Sequence, residues 1–121
     1  MNFESIPVML TPLNSNGSVD FDGLAQLTEF YISTGSTGLF TNCLSGEMFE
    51  LNEEERLEVT KAVVDQVNGR QPVVATGTFG YDQKKNIDFI KKISDAGASG
   101  VILNSNQLAY DSQTDDEWKA N

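Results

Sequence analysis

The chain has 121 residues, 39% of them apolar, which is enough for one domain. Its formal net charge of −10 sets the surface against phosphate backbones and anionic bilayers, so neither nucleic acid nor a membrane is an expected partner, and no apolar run approaches the length of a membrane span. There is no histidine, which removes the commonest general base near neutral pH and the commonest transition-metal ligand; neither a metal nor an organic cofactor is expected.

The first apolar run is Pro7-Val8-Met9-Leu10-Thr11, and it ends in the turn-rich stretch Asn14-Ser15-Asn16-Gly17-Ser18. The spacing of Phe21, Leu24, Leu27 and Tyr31 predicts a helix from about Asp20, stopped at Gly35. The second run is Gly38-Leu39-Phe40-Thr41-Asn42-Cys43. After it, Asn52 and Glu55 form a capping pair for the next helix, and Glu53, Glu54 and Glu55 suit its positive end. Val59, Val63 and Val67 make the buried stripe of that helix, and Gly69 is its expected stop. The third run is Pro72-Val73-Val74-Ala75-Thr76-Gly77. Asp82 caps a third helix with Ile87, Ile90 and Ile93 as its buried face, Lys91 and Lys92 near its end and Gly97 beyond it. The fourth run is Gly100-Val101-Ile102-Leu103-Asn104. Thr114-Asp115-Asp116-Glu117 is a second capping box, and the sequence ends at Asn121 about one turn later, so a longer unit is expected.

The apolar runs are near-continuous rather than alternating, as in strands covered on both faces. Four parallel strands alternating with helices, at a period of roughly thirty residues, read as an α/β fold with right-handed crossovers. The single cysteine, Cys43, excludes an internal disulfide, and the Met-Asn-Phe-Glu-Ser start shows no basic stretch before an apolar core. Both fit a cytoplasmic protein.

In parallel α/β folds ligands bind at the carboxyl ends of the strands. Those ends are here Thr11, then Asn42-Cys43-Leu44-Ser45-Gly46, then Thr76-Gly77-Thr78, then Asn104-Ser105-Asn106-Gln107. All are small and polar, suited to holding a small carboxylate or carbonyl through hydroxyl and N–H donors, or else simply facing solvent. Without histidine, Ser45 cannot belong to a hydrolase triad. Cys43 reads as a small buried residue at a strand end. Glu47 is either catalytic or a carboxylate that fixes its loop through backbone amides. Gly77-Thr78-Phe79-Gly80 lacks the lysine and the glycine spacing of a phosphate loop. Lys61, Lys84, Lys85, Lys91, Lys92 and Lys119 fall on predicted helices or the tail, as solvated side chains.

The stretches "PVMLTPLNSNGSVDFDGL", "LSGEMFELNEEER" and "VNGRQPVVATGTFG" resemble the N-terminal half of the dihydrodipicolinate synthase and N-acetylneuraminate lyase family, from about Ile6 to about Leu103. The family's second loop reads Gly-Thr/Ser-Thr-Gly-Glu, where this sequence has Cys43-Leu44-Ser45-Gly46-Glu47. The resemblance implies half of a TIM (β/α)8 barrel over residues 1–121 and class I aldolase chemistry, in which a lysine forms a Schiff base with pyruvate or another 2-oxo acid. It implies that Ser45 and the amides around Leu44, Ser45 and Gly46 hold the substrate carboxylate; Thr11, Asn42, Cys43, Glu47, Thr76, Gln107 and Leu108, at or near the strand ends, are then the candidates to line the site. It also implies a homo-oligomer, commonly a tetramer.

The family's reactive lysine and catalytic tyrosine lie on its sixth and fifth strands, outside this chain, and a full barrel takes about 250 residues. These 121 residues alone are therefore expected to be inactive. Open first and fourth strands would invite self-association. Leu44 replaces a loop hydroxyl, and Ser105-Asn106-Gln107-Leu108 stands where synthases of the family carry Thr-Pro-Tyr-Tyr, with Tyr110 out of register. The departures point away from dihydrodipicolinate synthesis and toward a lyase or aldolase of another 2-oxo acid. The alternatives are a non-catalytic module for small carboxylates and a flavodoxin-like binding domain.

Overall fold

The structure, a computed structural model, describes residues 4–110 and 112–120. Helix α1 (Phe21–Ser33) begins where the Asp20 carboxylate accepts from the Gly23 N–H, 2.9 Å away. Strand β1 (Leu39–Thr41) leads through a 3₁₀ turn (Leu44–Gly46) into α2 (Glu53–Val67). There Asn52 and Glu55 complete both halves of the expected capping box, at 3.0 and 2.8 Å. Strand β2 (Val73–Thr76), helix α3 (Gln83–Asp95), strand β3 (Gly100–Ile102), a second 3₁₀ turn (Ser105–Gln107) and the short α4 (Asp115–Lys119) follow.

The three strands are parallel and lie in the order β1-β2-β3, with Phe40 opposite Val74 and Ala75 opposite Val101. Neighbours in sequence are neighbours in the sheet. A flavodoxin-like order would place the first strand between the second and third, so that alternative is excluded. The architecture is that of an N-terminal half of a TIM barrel.

The first apolar run departs from expectation. It lies parallel beside β1 but joins it through one bridge, Val8 to Phe40, rather than as a full strand. Met9 N–H donates to Phe40 O and Phe40 N–H to Pro7 O. Pro7 has no N–H to extend the ladder, and Pro12 closes the run five residues on.

Leu39, Thr41, Val73 and Ala75 are buried, and α2 and α3 cover that face of the sheet. Leu24, Leu39, Val59 and Val63 form the larger core cluster; Ala75, Phe89 and Ile93 form the smaller. The expected α3 face is rotated. Ile93 is buried as expected, but Ile87 is 46% exposed and Ile90 only half-buried, and Asn86 and Phe89 are buried in their place. Asn86 is on the inner face because both ends of its amide are bonded there: its Nδ2 donates to Gly80 O at 2.7 Å, and its Oδ1 accepts from Phe79 N–H. Phe21, expected on the buried face of α1, is 40% exposed, and Thr28 is buried in that helix with its hydroxyl donating to Leu24 O.

At the rim, Arg70 and Gln66 both donate to the Glu29 carboxylate, tying α1 to the end of α2. Arg70 first and Gln66 second hold Glu29 down from 4.5 to about 2. A folded-state pKa below the unfolded one adds stability that is present above about pH 4.5 and lost as pH falls toward 2. Thermal melts of the wild type and Glu29→Gln should therefore differ modestly at pH 6 and converge on acidification, because the pair is exposed and screened. A gap that grows below pH 4.5 would contradict this linkage.

Candidate functional site

The turn after β1 is built from two backbone bonds, Gly46 N–H to Cys43 O and Glu47 N–H to Leu44 O, at 3.0 and 3.1 Å. The Gly46 amide is thus spent inside the turn. The N–H groups of Leu44 and Ser45 and the Ser45 hydroxyl have no partner among the described residues. Gly46 is required by proximity: a Cβ there would stand 2.7 Å from Met9 O. Glu47 closes the turn in the left-handed region at φ 57°. Its carboxylate is exposed and makes no hydrogen bond among the described residues. The residue shapes the loop through its backbone, not through the side-chain bonds to amides that its position suggests.

A cavity of about 260 Å³ lies beside this turn. Cys43, Leu44, Ser45, Thr76 and Gln107 line it, and so does Asn104. Val8, Phe40, Met48 and Phe49 are the apolar part of its lining. Among the described residues, no charged side chain lines it. Thr11 and Glu47 line a neighbouring, more open groove that shares Ser45 with the first cavity. Leu108 lines neither; Asn106 and Gln107, from the turn before it, both line the cavity.

Asn42 is turned away from both. At φ 53° it leaves the alternation of β1, and its Nδ2 donates to Arg56 O at 2.9 Å and to Thr60 Oγ1 at 2.8 Å. Thr60 Oγ1 also meets Thr41 Oγ1 at 3.2 Å, so a buried polar triad joins the end of β1 to α2. Cys43 is buried, with its thiol directed at Met9 O.

Arg56 was legible only as part of a helix start, yet it braces the loop that reaches the site. Its Nε donates to Met48 O at 2.7 Å, and its guanidinium lies 4.0 Å from the centre of the Phe79 ring. Burial draws its pKa below the ordinary value, against the pull of Glu53 and Glu55. The apolar wall residues Met48, Phe49 and Phe40 also escaped sequence reasoning. The signal for Phe40 was available, because Leu39 and Thr41 on either side of it face the helices.

Two buried polar atoms, Thr76 Oγ1 and Asn42 Oδ1, have no hydrogen-bond partner among the described residues. Among those residues, no group of three or more acidic or cysteine side chains converges on a metal position, and no helix is long and apolar enough to cross a membrane.

The profile of the Dihydrodipicolinate synthetase family matches residues 2–105. A 4-hydroxy-tetrahydrodipicolinate synthase of Geobacter metallireducens is 40% identical over 99 residues, covering 82% of this chain and 33% of its own. The Bacillus subtilis synthase is 36% identical over 104 residues, covering 85% and 36%. Among solved structures, a prophage protein of E. coli K12 in complex with pyruvate, described as belonging to the dihydrodipicolinic acid synthase family, superposes with a TM-score of 0.78 at 30% identity, over 83% of this chain and 33% of that one. The dihydrodipicolinate synthase of Acinetobacter baumannii, complexed with pyruvate, gives 0.88 at 26% identity, over 97% and 39%. The chain therefore spans about a third of the length of the curated relatives it matches. It belongs to the dihydrodipicolinate synthetase family.

Proposed function

We propose that this member of the dihydrodipicolinate synthetase family supplies the carboxylate-binding part of a barrel that makes or breaks a carbon–carbon bond beside the carbonyl of pyruvate or a related 2-oxo acid. The observation that carries the reading is the turn at residues 43–47. It sets the Ser45 hydroxyl and two N–H groups, unpartnered among the described residues, beside a cavity that no carboxylate of those residues lines. Donors fixed by the backbone bind a carboxylate without reorganising when it arrives. The pyruvate complexes of two structural relatives are in keeping with this.

In this reading the chain's own groups bind and orient. With the carboxylate held by the Ser45 turn, the 2-oxo carbon is presented to an amine from elsewhere in a complete barrel. Condensation expels water, and the resulting iminium withdraws electrons from the neighbouring carbon, so that the carbon–carbon bond there forms or breaks. Every lysine among the described residues lies on a helix and is exposed, and none lines the cavity. Leu44 and Gln107 at the cavity favour a second reactant other than that of the dihydrodipicolinate synthases. We further infer that the complete protein works as a cytoplasmic homo-oligomer and that the isolated chain does not turn over.

The test is intact mass after incubation with pyruvate and borohydride. The 121-residue chain is expected to carry no reduced adduct, and a longer natural product is expected to carry one. Saturable pyruvate heat without an adduct on any natural product would replace the lyase reading with a binding module. An adduct on the short chain would mean that one of the helix lysines is the reactive amine.

A further inference from the structure

The fold accounts for nearly all of its buried hydroxyls. Thr41 and Thr60 meet each other, Thr28 donates to Leu24 O, and Thr78 Oγ1 accepts from Asn104 N–H at 2.9 Å. Thr76 is the exception. It is fully buried at the carboxyl end of β2, and its hydroxyl has no partner among the described residues. Such a group is costly, because its hydration is lost and nothing replaces it. Valine has the same shape and would avoid that cost.

Strand alternation says which side Thr76 serves. Val73 and Ala75 pack into the two helix-side clusters, so Val74 and Thr76 fall on the opposite face of the sheet. Phe40, the partner of Val74 in register, is on that face, as is Val8, which bridges Phe40. Val8, Phe40 and Thr76 all line the cavity that Ser45 lines. The other unpartnered atom, Asn42 Oδ1, belongs to a side chain turned to α2, and Asn42 does not line that cavity.

We propose that Thr76 is a substrate-binding residue whose hydroxyl donates a hydrogen bond to an oxygen of the 2-oxo acid held in this cavity. The inference rests on the carboxylate reading of the Ser45 turn. It extends that reading to a second strand end and explains why a hydroxyl stands where an apolar side chain would suit the fold better.

The experiment is a pyruvate titration of the full chain followed by backbone amide NMR shifts, with thermal melts of each variant. Thr76→Val should bind pyruvate about tenfold more weakly, the worth of one hydrogen bond to an anion. It should melt no lower than the wild type. Thr76→Ser, which keeps the hydroxyl, should retain wild-type affinity. Wild-type affinity in Thr76→Val would overturn the proposal. So would a lower melting temperature with unchanged affinity, which would show a hydroxyl serving the structure, for instance through a buried water. Ser45→Ala separates the two readings. If Ser45→Ala weakens binding and Thr76→Val does not, the turn stands and only this inference fails. If the wild type shows no saturable shifts with pyruvate, the carboxylate reading fails and this inference falls with it.

Discussion

Gly46→Ala should weaken pyruvate binding by about 100-fold while leaving the helices in place, the worth of about two hydrogen bonds to an anion. The added Cβ would stand 2.7 Å from Met9 O, 3.2 Å from Thr11 Oγ1 and 3.5 Å from Cys43 Sγ. Met9 cannot retreat easily. It is 2% exposed, its N–H is bound to Phe40 O at 2.8 Å, and its carbonyl already receives the Cys43 thiol. The turn must therefore lift, and it carries the Leu44 and Ser45 donors with it. Ser45→Ala removes one hydroxyl and should cost only about tenfold, so the glycine without a side chain is expected to matter more than the serine with one. Amide NMR titration with pyruvate, alongside circular dichroism, checks both halves of the claim. Unchanged affinity in Gly46→Ala would show that the turn does not hold the ligand.

The parts of this fold that were legible in the sequence are those set by local chemistry. Asn52 and Glu55, or Thr114 and Glu117, satisfy each other's backbone within four residues, and both boxes form as read. The stripe of Val59, Val63 and Val67 needs only helical periodicity and is buried throughout. What escaped depends on side chains meeting across the chain. A period-2 reading carries Asn42 to the same face as Phe40, but its left-handed backbone turns it to α2, and no spacing rule announces that. Ile87 looked like core because it is apolar, yet Asn86 took the inner position by bonding to the loop at Phe79 and Gly80. Arg56 sits in a run of glutamates that invites a purely electrostatic account, and its bracing of Met48 O and its stacking on Phe79 appear only when β2 and α2 are side by side.

Gly77→Ala should destabilise the fold by about 3 kcal/mol, at the upper end of the cost of overpacking. Gly77 follows Thr76 and donates to Ile102 O at 2.9 Å, which fixes the end of β2 against β3. A Cβ at this position runs into Val101 Cγ1 and stands 2.7 Å from Ile90 Cγ1. Val101 packs against the cluster of Ala75, Phe89 and Ile93, and its β-branched side chain has little rotameric freedom. Either the strands separate at the Gly77 bond or Ile90 is pushed out along α3. If the clash is the cause, shrinking the partner should relieve it. Gly77→Ala combined with Val101→Ala should be more stable than the sum of the two single losses by about 1 kcal/mol or more, since contacting residues are not additive. Urea unfolding of the four proteins measures this directly, and strictly additive losses would move the cause away from Val101. The same series bears on the site. Thr76 precedes Gly77, so the single variant should also lose pyruvate affinity, and the double variant should regain it as β2 returns to its place.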